Sequence, residues 1–293
     1  MAKTAAAGKV KTRKSSLWLE TIQRVWENPG AKVGVVLFAI IALACIFAPL
    51  IAPYGVNEMD LTSMFKGPSA EHIFGTDALG RDLFTRILYG GRYSLALGLC
   101  SAIFGTVCGI VIGTVAGYFG GKIETIIMRI LDIWSSLPSM LLCILISAVL
   151  GSGFFNTVLA LSIGAVPGCA RLIRGQVLSE SSKEYLEAAE SINCSKVSIM
   201  FSHMLPNVVS PVIVDATMRI GMTITMAASL SYIGLGVQPP TPEWGALLAD
   251  ARSHILNYPY LIMFPGIVIA LTVLAINLIG DGLRDAMDPK LRK

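Results

Sequence analysis

Long apolar stretches alternate with short polar ones along this 293-residue chain, at roughly 33–53, 93–117, 123–150, 154–173, 208–235 and 260–281. A helix needs about 20 mainly apolar residues to cross a ~30 Å hydrocarbon core, so each stretch predicts a transmembrane helix. Stretches three and four are separated only by Gly151, Ser152 and Gly153, enough for a tight turn between helices and for nothing larger. Ahead of the first stretch, Ser16 to Asn28 spaces Leu17, Trp18, Ile22, Val25 and Trp26 as an amphipathic helix on the membrane interface. The expected fold is an all-α integral membrane protein with six transmembrane helices. It divides into 1–32, a basic tail with the interfacial helix; 33–92, the first span and a following loop; and 93–293, five further spans.

A polar segment at 178–207 lies between spans four and five. Residues 178 to 192 carry Glu180, Glu184, Glu187 and Glu190 among Leu186, Ala188 and Ala189, with a single lysine, Lys183, and predict a short surface helix. Asn193 follows, a residue type that tolerates positive φ where a helix stops. Ser195 to Leu205 is apolar at Val197, Ile199, Met200, Met204 and Leu205, and Pro206 restricts the chain beside it. Helix, turn, helix and stop make a compact knob. Spacing alone allows either a docking surface or an ordinary amphipathic loop.

Charge sets class and orientation. Only 14% of residues are charged, against roughly 25% in soluble proteins, and the mean hydropathy of +0.68 excludes an ordinary soluble domain. Lysine and arginine mark cytoplasmic segments. They fall at Lys3, Lys9, Lys11, Arg13, Lys14, Arg24 and Lys32, at Arg284, Lys290, Arg292 and Lys293, and at Lys122, Arg171 and Arg174. Both termini and the knob are therefore expected inside, while Tyr54 to Arg92, with five acids and four bases, is expected outside. A signal peptide ending at Ala42-Leu43-Ala44-Cys45 is disfavoured by the long preceding tail, the long apolar run and the five spans that follow.

Candidate chemistry is sparse. The six cysteines lie in or beside spans or, for Cys194, in the knob, so no disulfide is expected in the outer loops. His72, His203 and His254 are far apart in sequence, no CxxC pair occurs, and no metal site is expected. The chain has neither a phosphate-cradling GxxxxGK[ST] nor a recognisable nucleophile motif. Charges inside the membrane are expensive and become candidates by default. Asp215 and Arg219 share a helical face in span five, and Arg129 and Asp132 are spaced to do the same in span three. Each pair either neutralises itself and orients its helix or lines the pathway. Pro138, Pro167 and Pro211 can kink their spans, and Gly105, Gly109, Gly113 and Gly117 form a smooth face for close helix packing.

The knob resembles the EAA loop of ATP-binding-cassette import permeases through Glu187, Ala188, Ala189, Leu205 and Pro206. It departs at Asn193, in the glycine position, and at His203, in the isoleucine position. The outer stretch His72 to Asp82 carries Gly75, Thr76, Asp77, Gly80, Arg81 and Asp82. Its glycines and aspartates read as consecutive turns, and it resembles the FGTDxLGRD passage of the second permease subunit in peptide and nickel importers. Ala228 to Gly236, Gln238 to Gly245, and Asn277 to Asp285 with Asp288-Pro289 extend the resemblance from about residue 30 to the end.

The resemblance implies a type I ABC importer permease of the dipeptide and oligopeptide branch, in a prokaryotic cytoplasmic membrane. It implies pairing with a homologous second permease, two ATPase subunits that bind ATP and Mg, and an extracytoplasmic substrate-binding protein. No cofactor is expected on this chain, nor any partner nucleic acid; membrane lipid surrounds it. The implied cargo is a short peptide moved by alternating access, with nickel chelates or glutathione as alternatives. A secondary transporter is disfavoured by the missing internal repeat and midplane carboxylate, and a membrane enzyme by the missing catalytic constellation.

Overall fold

The computed structural model describes residues 17–288, which are helical apart from loops and an isolated antiparallel bridge between Thr76 and Asp82. The tail positions Lys3, Lys9, Lys11, Arg13 and Lys14, and Pro289, Lys290, Arg292 and Lys293, lie outside the described residues. The expected interfacial helix is α1 (Leu17–Glu27), followed directly by α2 (Pro29–Ile46). Asn28 separates them: its Oδ1 accepts from Ala31 N at 3.2 Å, and Pro29 occupies the first turn, where no N–H is needed. The short α3 (Ala48–Ile51) leads into the outer loop.

Helix α4 (Leu83–Phe119) starts ten residues before the expected second span, because Asp82 caps it, Oδ2 accepting from Thr85 N at 2.8 Å. Its 37 residues make a rod of about 55 Å, so it projects well beyond a ~30 Å hydrocarbon core. The span expected over 123–150 is instead two helices, α5 (Gly121–Ser135) and α6 (Ser139–Leu150), meeting at 83°. Pro138 supplies no N–H and pushes Leu137 out of the helical region, which breaks the run at that point. Helix α7 (Phe154–Glu180) passes Pro167 without a break. The glycine face of α4 packs on it: a Cβ on Gly109 would lie 2.5 Å from Cys169 Cβ, and one on Gly117 would lie 2.6 Å from Val177 Cγ1.

After α8 (Glu184–Ser191) and α9 (Lys196–Ser198), a π-helical segment, Ile199–Met204, runs straight into α10 (Leu205–Tyr232). The stop expected at Pro206 does not occur. Leu205 N bonds to Met200 O, five residues back, and this wider turn makes room for the proline ring and its missing donor. Helix α11 (Trp244–Ala251) and α12 (Tyr260–Met287) are the last helices among the described residues.

Among the described residues, five helices are long and apolar enough to cross a membrane, six if the bent α5–α6 pair counts as one span. Gly153 N donates to Gly236 O at 3.1 Å, so the α6–α7 turn meets the segment after α10. Trp244 Nε1 donates to Ile87 O at 2.9 Å, which brings the first turns of α4 to the same end. The knob sits at the other end, in a core of Cys169, Ile173, Val177, Ile199, Val208 and Val212.

Candidate functional site

Two faces of α8 behave differently. Leu186 and Ala189 are buried against α7 and α10, whereas Glu184, Glu187 and Ala188 point outward. The helix ends as its sequence suggests: Asn193 adopts φ 61°, Asn193 N donates to Glu190 O at 2.9 Å and Cys194 N to Ala189 O at 3.1 Å. This pair of bonds is a Schellman closure with asparagine doing the work of glycine. Ser195 Oγ then caps α9 by accepting from Ser198 N at 3.2 Å.

A polar chain that no local sequence pattern signals fixes the knob to its neighbours. Tyr185 OH donates to Glu180 Oε1 at 2.9 Å, and Asn207 Nδ2 donates to Tyr185 OH at 3.0 Å and to His203 O at 2.8 Å. The end of α7, α8 and the start of α10 are thereby joined. His203 stands 3.0 Å from Ser198 O through Nδ1, inside the π segment, and is not a simple substitute for isoleucine packing. Leu205 is half-buried, and Pro206 is exposed. Ile192 and Val197, 77% and 63% exposed, give the acidic knob an apolar rim. Such a surface suits docking.

The Asp215–Arg219 pair forms as expected, with Arg219 Nε donating to Asp215 Oδ2 at 2.5 Å. Arg219 also lies on α7, since a Cβ on Gly168 would come within 2.9 Å of Nη2. Asp215 lines a cavity of about 450 Å³ together with Pro211, Met218, Arg284 and Asp288. The side chains keep 24% and 30% exposure, which reduces the cost of breaking the pair below that of a fully buried one. Asp215→Asn and Arg219→Gln should each destabilise the assembled complex by about 1 kcal/mol, with most of the loss recovered in the double variant. Thermal melting of the purified complex measures this, and strictly additive losses would show that the two do not act as a pair.

The Arg129–Asp132 pair does not form. Asp132 Oδ1 accepts from Arg171 Nη2 of α7 at 3.2 Å, and the same nitrogen reaches Leu131 O and Ser135 Oγ. Helix α7 presents Arg171 to the α5 face that carries Leu131, Asp132 and Ser135, leaving Arg129 exposed. Arg174 likewise binds Glu124, its Nε donating to Oε1 at 2.7 Å.

At the opposite end, Gly75, Thr76, Asp77, Gly80, Arg81 and Asp82 form one knot. Asp77 Oδ1 accepts from Leu79 N and Arg81 N, and Oδ2 accepts from Arg81 Nε at 2.6 Å. Asp82 Oδ1 meets His72 Nδ1 at 3.0 Å while Oδ2 caps α4. Thr76 Oγ1 accepts from Lys66 N and donates to Ser63 O. Gly80 has φ 70°, and a Cβ there would lie 1.8 Å from Asp60 O, so both conformation and space demand glycine. Hydrogen bonds from Ser63 and Thr62 hold the Asp60 carboxyl down at about 2.

The knot is also joined to the 236–259 segment, through contacts with no local signature in the sequence. Arg81 Nη2 lies 3.7 Å from Asp250, whose carboxyl is raised by burial against the opposing pull of Arg86 and Arg81. Buried Glu243 accepts from Ser94 Oγ at 2.8 Å and from Ala246 N at 3.0 Å, stapling α11 to α4. Only long-range packing reveals these partners.

The chain matches the family model of the binding-protein-dependent transport system inner membrane component over residues 109–293. It also matches the N-terminal transmembrane domain of oligopeptide transport permease C over 16–68. It is 45% identical over 276 residues to the glutathione transport system permease protein GsiD of Escherichia coli O6:K15:H31, which spans 94% of this chain and 91% of that protein. The GsiD protein of Pectobacterium atrosepticum is 47% identical over 277 residues, spanning 94% and 92%. Among solved structures, a chain of the inward-facing MetNI methionine ABC transporter superposes with a TM-score of 0.57 at 19% identity, over 69% of this chain and 97% of that one. At that identity the likeness is one of fold.

Proposed function

The chain belongs to the binding-protein-dependent transport system inner membrane component family, and from that premise we propose that its 184–206 knob couples it to an ATPase and that its cargo is glutathione. As a family member it is a non-catalytic permease subunit of a bacterial ABC importer, multi-pass in the inner membrane. Such importers combine a partner permease, ATPases that hydrolyse the ATP, and a substrate-binding protein.

One observation carries the coupling assignment. The knob is anchored by Leu186 and Ala189, by the Tyr185–Asn207 chain and by the Glu190–Tyr118 hydrogen bond, yet Glu184, Glu187, Ala188 and Ile192 on its outer face have no partner among the described residues. Glu187, Ala188 and the Ile192 rim enter the ATPase cleft. Asn193 closes the helix, while His203, Leu205 and Pro206 transmit its movement into α10. ATP and Mg bind on the ATPase side, and closure of the ATPases tilts the bundle between its two openings. This places the knob and both termini in the cytoplasm, in keeping with the lysine and arginine distribution. The His72 to Asp82 knot and the 236–259 segment face the substrate-binding protein.

The cargo reading rests on the glutathione transport named for both GsiD relatives. Glutathione is itself a small acidic peptide. The match to the oligopeptide permease domain supports di- and oligopeptides as a second reading. Vesicles carrying the complete complex should accumulate labelled glutathione only with ATP and the binding protein, and a large excess of dipeptide should not compete. Uptake of dipeptides without glutathione uptake would replace the first reading with the second.

A further inference from the structure

Helix α5 lies across the bundle, unlike the helix that follows it. Helix α6 runs antiparallel alongside α7: Cys143 Sγ donates to Ala160 O, and a Cβ on Gly164 would meet Cys143 Sγ and Ser139 O. Helix α5 meets the same neighbour broadside. Glu124 binds Arg174 and Asp132 binds Arg171. The two acids are eight residues apart, about 12 Å along α5, whereas the two arginines are three residues apart, about 4.5 Å along α7. With the 83° angle to α6, this lays α5 nearly perpendicular to the spans, at the level of residues 171–174 and near the knob.

Its surface is divided accordingly. Both of its acids turn toward α7 and are paired there. Away from α7, Ile123, Ile126, Ile130 and Ile133 form a continuous stripe, each between 45% and 74% exposed. Lys122 and Arg129 lie two turns apart along one edge of that stripe, exposed and without an ion-pair partner among the described residues. An exposed apolar face bordered by cations, on a helix lying in the membrane plane, is the signature of an interfacial helix. A protein neighbour would need acids of its own to meet the two cations, whereas the anionic cytoplasmic leaflet supplies negative charge.

We propose that α5 rests in the cytoplasmic interface of the membrane and binds anionic phospholipid head groups through Lys122 and Arg129, with the isoleucine stripe seated among the upper acyl carbons. The proposal rests on the orientation given above. It makes α5 a lipid-anchored strut, braced through Arg171 and Arg174 against the helix that leads to the knob.

The test uses the complete complex with a cysteine-free permease carrying Ile126→Cys labelled with bimane, in phosphatidylcholine vesicles doped with brominated phosphatidylglycerol or brominated phosphatidylcholine. The anionic quencher should be preferred by on the order of fivefold per basic residue. Lys122→Gln with Arg129→Gln should bring the preference close to one while both lipids still quench. Protection of the label from both lipids, with crosslinking of Ile126→Cys to the second permease, would overturn the proposal and make the stripe a subunit interface. Equal quenching by the two lipids in the otherwise unaltered chain would also overturn it. Orientation is read separately: an impermeant thiol reagent should modify Ser182→Cys only from the cytoplasmic side. Labelling from outside would sink the docking assignment whatever the lipids do.

Discussion

Replacing Glu187 with lysine should abolish ATP-driven uptake, by tenfold or more, while leaving the permease inserted and folded. Glu187 is exposed and makes no side-chain bond in the described chain, so reversing its charge costs the fold little. Across a docked interface, breaking a buried charge pair costs about 2–5 kcal/mol, enough to release the ATPase or to disconnect hydrolysis from transport. Copurification of the ATPase distinguishes those two outcomes. Ala188→Trp should act in the same direction by steric exclusion, because Ala188 shares the outward face, whereas the buried Ala189 would report on folding instead. Unchanged uptake in both variants would leave the knob without its assigned role.

Gly90→Ala should be at least as damaging, but through assembly. A Cβ on Gly90 would lie 1.6 Å from Pro242 O, and one on its neighbour Gly91 would lie 2.2 Å from Cys45 Sγ. The first obstacle is backbone, and the second belongs to a short, buried side chain. Accommodating the methyl means lifting the 236–244 segment off α4, which strains the Trp244–Ile87 bond and the Glu243–Ser94 staple. The expected cost is about 3 kcal/mol or more, at the top of the range for overpacking. Gly175→Ala is the control: nothing lies within 4 Å of that position, and alanine favours the helix. Yield and melting temperature of the purified complex measure both variants. Equal yields would mean that the two segments separate readily.

What the sequence made legible was whatever depends on local period and local conformation. The amphipathic α1, the apolar spans, the positive φ at Asn193, the turns around Asp77 and the packing face of Gly105 to Gly117 all follow from residues close together in sequence. The errors came from the third dimension. All three charges between Ile123 and Leu150, Glu124, Arg129 and Asp132, lie before Pro138, and a hydropathy average over the whole stretch dilutes them, so the angle at Pro138 is lost and with it the transverse course of α5. Arg129 and Asp132 have a spacing that permits pairing, but Arg171, 39 residues beyond Asp132, competes successfully. Pro206 would normally end a helix, and only the wider π turn before it allows the helix to continue. Glu243 and Arg86 look like ordinary loop and helix charges until packing buries them.

The uninterrupted course of α4 has a mechanical consequence. Helices α7, α10 and α12 each contain proline, at Pro167, Pro211 and Pro265, whereas α4 contains none from Leu83 to Phe119. Its first turns hold Trp244 through Ile87, and its last turns press Gly117 on Val177 in the core that also holds the knob. A rod of this length behaves as a lever: a tilt of roughly 10° about its midpoint swings each end by about 5 Å, in opposite directions. A push delivered at the knob end is thus felt at the opposite end with no intervening joint to absorb the stroke.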